Sequence, residues 1–223
     1  MNELRSFYRN FPTVKFEKGE IFIHQGEKPK YVFAIRAGVV ESYNLTRGGD
    51  YRTNSYNIAD DIVPLSWAFS KTAEALFYYR AYTDCELWMI KKQDFLMKLT
   101  ESHRFLDAVL ERTLNSYVGS KLHVDALSRQ HGYTKLLYIF RYLSLLYGRE
   151  SESGESKIQI PLTQQDIANL SGLTRETTTI EINKLKSRGI ISDDHRYYTV
   201  SINRLNDEID DDFNPGISIN MLR

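Results

Sequence analysis

The chain has one cysteine, Cys85, so no disulfide can close within it. That fits a reducing compartment, and a cytoplasmic protein is expected. One cysteine also excludes an iron–sulfur cluster held by a single chain, which takes about four ligands. The five histidines (His24, His103, His123, His131 and His195) are scattered, and no spacing marks a metal or haem site. No cofactor is expected. Long apolar runs are missing too: nothing approaches the roughly 18 residues of a membrane span. The amino terminus, MNELRSFYRNF, lacks the apolar core of a signal peptide. Net charge is absent, with 29 Lys and Arg against 29 Asp and Glu. Such a balance counts against nucleic acid unless it hides local patches. No paired nucleophile and base, metal-ligand spacing or glycine-rich phosphate loop is present, so an enzyme is not expected.

What is present is the profile of a globular protein, with 42% hydrophobic and 26% charged residues, which rules out a disordered chain. At roughly 150 residues per domain, 223 residues allow one large domain or two smaller ones. Residues 11–91 read as β. Short apolar or alternating runs recur at 14–16, 21–24, 31–36, 39–44, 51–57 and 86–91, separated by turns such as Gln25-Gly26-Glu27 and Gly48-Gly49-Asp50. Many short strands at regular spacing imply a sandwich, barrel or jelly roll. Cys85 falls on such a strand and is expected to be buried.

Residues 92–147 contain no proline and read as helix, broken at His131-Gly132-Tyr133. One stripe keeps a heptad: Leu106, Leu110, Thr113, Tyr117, Ser120, Val124 and Leu127. A second stripe, Leu114, Val118 and Leu122, runs beside it. Two stripes on one helix need two partners. One could be the β region and the other a symmetry mate, or both could be buried within one monomer. Residues 135–147 start another apolar helix, and Arg149 to Lys157 reads as a polar loop.

A compact α-plus-hairpin pattern follows. Thr163 is a good N-cap, with Asp166 placed for a capping box. Ala168 is small where two helices would cross. Gly172 tolerates a left-handed turn, and Leu173 plugs the angle between the helices. Thr174 caps a second helix with Ile182 and Leu185 on its inner face. Its exposed amino-terminal half carries Thr174, Arg175, Glu176, Thr179 and Ile180. Ile190-Ile191 and Tyr197 to Val200 read as two strands, a wing with His195 and Arg196 at its tip. Helix, short glycine turn and helix form a helix-turn-helix, whose second helix can enter the major groove. There Arg can pair with guanine and Glu can accept from cytosine.

These residues resemble the cyclic-AMP receptor protein/Fnr (Crp/Fnr) family of bacterial transcription regulators. The β hallmarks are Phe16-x-Lys18-Gly19-Glu20-Ile21, Gln25-Gly26-Glu27, Val32 to Val40 and Arg80 to Leu87. The helix-turn-helix hallmarks are Leu162 to Ala168, Gly172 to Thr177 and Leu185 to Ile191. The likeness covers roughly residues 11–205. It implies an α+β chain: an N-terminal β-roll (a cyclic-nucleotide-binding-like double-stranded β-helix) over 1–100, a dimerisation helix over 101–131 and a winged helix-turn-helix over 132–205. Residues 206–223 form an acidic tail. It further implies a homodimer on double-stranded DNA, with RNA polymerase a further partner. Activation or repression, target genes and any effector are not readable from it. A β-roll module working mainly through protein partners, with a degenerate DNA domain, is the alternative.

The departures from the family are specific. Where cyclic-nucleotide-binding members carry Gly-Glu, Pro64-Leu65 stands here, and Ala75-Leu76 fills the place of the phosphate-gripping Arg-Ser or Arg-Thr pair. An anion would lose its bidentate partner, so cyclic AMP is not the expected effector. Ser66, Ala75, Leu76 and Ser120 are the effector-pocket candidates, with Ser120 read first as a polar residue of the dimer seam. Arg80 matches a structural position of the family. A pocket packed shut by Trp67, Phe69 and Tyr79 is expected, and with it a ligand-independent regulator. Arg175 and Glu176 match the family's base-reading pair. Ile180 stands where a third reader, usually Arg, would fall. It could touch only a thymine methyl or pack on a partner. Thr163, Thr174, Lys184, Lys186, Arg188 and Arg196 are candidates for backbone contacts.

The neutral total then resolves into parts. Residues 131–205 hold ten basic residues against eight acidic, whereas 206–223 hold one against five. An acidic tail cancels a mildly basic body, so neutrality does not argue against DNA. The tail reads as a solvated end, or as a screen over the DNA face.

Overall fold

The computed structural model describes residues 3–49, 51–152 and 154–209. The chain divides into two compact units, Met1–Thr113 and Leu114–Arg223.

The first unit opens with a short helix α1 (Glu3–Tyr8), followed by β1 (Thr13–Phe16), β2 (Ile21–Ile23), β3 (Val32–Ala37), β4 (Val40–Leu45) and β5 (Tyr51–Asn57). Then come β6 (Ile62–Val63), α2 (Leu65–Ala68), β7 (Tyr78–Ala81), β8 (Cys85–Ile90) and α3 (Lys92–Glu101). The strands form two antiparallel four-stranded sheets, β1-β8-β3-β6 and β2-β7-β4-β5. Residues alternate across each strand, which divides the apolar ones between two layers. Phe33, Ile35 and Leu87 meet Ile23, Val40, Tyr79 and Ala81 of the other sheet. The opposite face of the first sheet sends Val32, Ala34, Trp88 and Ile90 against Leu4, Tyr8, Trp67, Phe95, Phe105 and Val109 from the helices. Two short elements, β6 and β7, and helix α1 lie outside the runs recognised in the sequence. β6 has only two residues, too few for any period.

The helical region differs from one continuous run. Ser102 is extended, ends α3 and accepts a hydrogen bond from Phe105 N at its hydroxyl (3.3 Å), so a new helix α4 (His103–Ser128) begins there. The division between the two units falls inside α4 rather than at its ends. Within the first unit, Phe105 and Val109 of α4 are buried, and Arg112 pairs with Asp61 (3.0 Å). Helix α5 (Gly132–Tyr147) follows, then β9 (Gly148–Glu150), β10 (Glu155–Ile158), α6 (Gln164–Ser171), α7 (Arg175–Ser187), β11 (Ile191–Asp194), β12 (Tyr197–Ser201) and α8 (Ile202–Glu208).

Two readings need correction. The stretch Arg149 to Lys157 is not simply a loop: β9 and β10 form a hairpin that joins the wing, giving a four-stranded sheet in the order β11-β12-β10-β9. The buried half of β10's alternation is filled by Ser156 and Ile158, and the serine hides the pattern. A Cβ on Gly148 would lie 2.0 Å from the Ser156 hydroxyl, so glycine lets the two strands approach. The rings Trp67, Phe69 and Tyr79 do not close one pocket. Tyr79 faces the space between the sheets, whereas Trp67 and Phe69 pack in the helix layer. Helix α8 runs across position 205/206, so Asp207 and Glu208 are helical; Asp210, Asp211 and Asp212 lie outside the described residues, as does Asp50.

Candidate nucleic-acid interface

Each end of the two-helix motif is built by a local hydrogen bond. Thr163 caps α6: its hydroxyl accepts from Asp166 N (3.1 Å), while the Asp166 carboxylate accepts from Thr163 N (2.8 Å). Gly172 closes α6 with φ +69°, a left-handed conformation that disfavours any side chain. Thr174 caps α7 by accepting from Thr177 N (3.2 Å). Ile182, Leu185 and also Thr178 are buried beneath α7, and the Thr178 hydroxyl donates to Thr174 O (2.8 Å).

The outward face of α7 divides into two halves. Arg175, Glu176 and Ile180 at the amino-terminal half are exposed, and no ion pair engages Arg175 or Glu176 among the described residues. Toward the carboxyl end the cations are engaged. Lys184 pairs with Glu181 (2.9 Å), Lys186 with Asp193 of β11 (2.5 Å) and Arg188 with both oxygens of Glu208 (2.8 Å each). Tyr133 completes the last cluster. Its hydroxyl donates to Glu208 (3.2 Å), its ring lies 5.1 Å from the Arg188 guanidinium, and its pKa is raised, first by burial and then by Glu208. Thr179 donates its hydroxyl toward Gln164 Oε1 (2.7 Å) or Arg175 O (2.9 Å). The contacts from Gln164 and Glu208 span 15 to 75 residues of sequence, and no local pattern could announce them.

At the wing tip, His195 and Arg196 both take positive φ (+46° and +78°), the two-residue hairpin turn that Asn-Gly fits best. The turn leaves both side chains exposed.

The heptad stripe is uncovered. Leu106, Leu110, Leu114, Tyr117, Val124 and Leu127 are all exposed, with Leu110 at 50% and Val124 at 63%. Ser120 is exposed beside them, and Thr113 is half-buried. The second stripe divides: Val118 and Leu122 pack on Leu145 and Leu146, whereas Leu114 joins the uncovered side. On the inner side His123 is buried, its Nε2 within 2.9 Å of Leu170 O and its ring stacked on Tyr142.

In the first unit a shallow depression of about 320 Å³ is lined by Gln25, Gly26, Thr72 to Ala75 and Leu76. Ala75 and Leu76 are in its wall; Ser66 and Ser120 are not. Its one charged residue is the acid Glu74. The Ala75 backbone is consumed by the 25–27 loop, receiving Gly26 N (2.9 Å) and donating to Glu27 O (2.8 Å). Arg80 is held on the outer face of its sheet by the buried Glu41 carboxylate (2.8 Å). Cys85 is buried, and its thiol donates toward Val39 O (3.2 Å) and Thr83 O (3.1 Å). No group of three metal-ligating side chains comes together among the described residues, and no helix there is long and apolar enough to cross a membrane.

Comparison with known proteins bears on both halves. The Crp-like helix-turn-helix domain matches residues 139–207, and the cyclic nucleotide-binding domain matches residues 13–102. The chain belongs to the Crp/Fnr family. It is a DNA-binding transcription regulator of that type. The fumarate and nitrate reduction regulatory protein of Yersinia pestis is 24% identical, over 84% of this chain and 74% of the relative. Electron transport regulator A of Shewanella oneidensis is also 24% identical, over 82% and 72%. Among solved structures, FixK2 from Bradyrhizobium japonicum superposes with a TM-score of 0.73 at 18% identity, over 88% of this chain and 96% of that one. The Xanthomonas campestris regulator CLP, described as responsive to c-di-GMP, gives 0.69 at 15%, over 88% and 97%. The α+β architecture expected from the motifs, β-roll, long helix and winged helix-turn-helix, is the one found.

Proposed function

We propose that this Crp/Fnr regulator binds DNA as a homodimer joined along α4, with Arg175 and Glu176 reading base edges and Thr163, Thr174 and Arg196 touching the phosphate backbone. The observation that carries the reading is the pairing of an uncovered apolar stripe on α4 with a recognition helix whose amino-terminal Arg and Glu are unengaged. A soluble chain does not leave six large apolar side chains in a row without a partner, and a twofold axis through α4 would set two half-sites about one DNA turn apart. Lys184, Lys186 and Arg188 would have to leave their carboxylates to reach phosphate: Lys186 and Arg188 serve first to hold α7 on the wing and on α8, and Lys184 pairs with Glu181 within α7. Bound near a promoter, such a dimer would meet RNA polymerase.

Cyclic AMP is not the effector in this reading. The depression that contains Ala75 and Leu76 presents Glu74 and no cation, and a phosphate there would meet repulsion instead of a guanidinium. The c-di-GMP-responsive neighbour illustrates that the fold does not dictate cyclic AMP. A gel shift with the region upstream of the protein's own gene, repeated across a salt series, tests the DNA reading. A discrete complex with a steep salt slope supports it; equal binding to random DNA removes it. Calorimetry with cyclic AMP tests the second claim, which tight binding would overturn.

A further inference from the structure

The base-reading face of α7 lacks hydrogen-bond donors just beyond Arg175 and Glu176. Ile180 lies one helical turn from Glu176, on the same face, and is 56% exposed. An isoleucine this open on a polar helix supports no fold. Its neighbour Thr179 has spent its single hydroxyl proton on Gln164 Oε1 or Arg175 O. Thr178 is buried, with its proton on Thr174 O. In the major groove a G·C pair offers two acceptors on guanine and a donor on cytosine, whereas an A·T pair adds the thymine 5-methyl group. An aliphatic side chain laid on G·C would strip water from those polar edges and return no hydrogen bond. Laid on thymine it would bury a methyl group.

We infer that Ile180 is a specificity-determining residue that selects a T·A pair beside the pair or pairs read by Arg175 and Glu176, through contact with the thymine 5-methyl. The inference rests on α7 being the recognition helix, and it deepens that reading by naming the base group recognised.

The test begins with selection of duplexes from a random-sequence pool by the full chain. Each thymine of the enriched half-site is then replaced by deoxyuridine, which removes only the methyl. One thymine per half-site should be sensitive, its replacement weakening binding about 3- to 5-fold, the worth of one buried methyl. Ile180→Ala should bind the thymine and uracil duplexes equally. Ile180→Arg should move the preference at that pair toward guanine. Ile180 is outside the core, so both variants should keep the wild-type melting temperature. Sequence-specific binding in which every deoxyuridine duplex equals its thymine parent overturns the inference and leaves the regulator reading standing. A pool that yields no enriched sequence overturns the recognition-helix reading itself, and the inference with it.

Discussion

Leu110→Asp tests the dimer seam most directly. Leu110 leaves 50% of its surface uncovered in the protomer. Burying a whole leucine is worth about 1.5–3 kcal/mol, so covering the open half returns about 1 kcal/mol per copy, or about 2 kcal/mol per dimer. Aspartate removes that and places two carboxylates in an apolar seam, each penalised by several kcal/mol unless it escapes to water. A total loss of at least about 4 kcal/mol weakens dimerisation by roughly a thousandfold. Leu110→Ala, which loses only the apolar part, should weaken it by about 30-fold. Sedimentation velocity over a concentration series reads both numbers. The folded protomer should survive, because Leu110 contributes nothing to the buried layer formed by Phe105 and Val109. Circular dichroism should therefore show unchanged helix content. Affinity for a two-half-site operator should fall with dimerisation, while contact with an isolated half-site stays. A Leu110→Asp protein that remains dimeric at the wild-type concentration, together with a dimeric Val124→Asp protein, would refute the assignment of this face as the interface.

Three further outcomes are expected. Arg175→Ala should weaken specific binding by about 1–3 kcal/mol and relax one base position; an equal loss on random DNA, measured by gel shift, would assign Arg175 to phosphate instead. Replacing His195-Arg196 by Asn-Gly should raise the melting temperature, because left-handed backbone costs about 1–2 kcal/mol at each non-glycine residue, yet should lower the salt slope of DNA binding by about one through loss of the Arg196 charge. Burial pushes the hydroxyls of Tyr142 and Tyr198 up to about 12. A pKa raised on folding contributes stability that is present below pH 10 and lost as pH rises toward 12, so the winged-helix unit should weaken over that interval. Denaturant midpoints measured against pH, with tyrosinate absorbance as the probe, check this; midpoints that stay flat across the interval would show that the two rings are not buried as described.

What the sequence revealed was what depends on near neighbours. The capping box at Thr163 and Asp166, the left-handed Gly172 and the cap at Thr174 are three- or four-residue devices, and each is built as expected. The apolar inner side of α7 and the heptad of α4 are periodic and so were visible too. Elements whose reasons are distant were not. β10 shows no alternation until Ser156 is seen buried, across from Glu150 and with its hydroxyl close to Gly148, and α1 is a six-residue helix whose meaning lies in Leu4 and Tyr8 reaching the helix layer. The three rings assigned to one pocket were placed by composition, but the strand period and the helix layer send them to different sides of a sheet.

The same distinction governs the cations of the candidate site. By composition Lys184, Lys186, Arg188 and Arg196 are four equivalent phosphate contacts. The fold makes three of them partners of Glu181, Asp193 and Glu208 and leaves Arg196 at the wing tip. Neutral net charge is then a property of pairs as well as of sums: acids inside the winged-helix unit neutralise the cations at the carboxyl end of α7 and leave Arg175 unpaired at the amino-terminal end, the end proposed to read bases, where its charge adds to that of the helix dipole. Reduced non-specific affinity follows, because fewer free cations release fewer counterions. On the proposed reading, specificity then rests on a few contacts along the amino-terminal half of α7, and Ile180, exposed one turn beyond Glu176, is placed to be one of them.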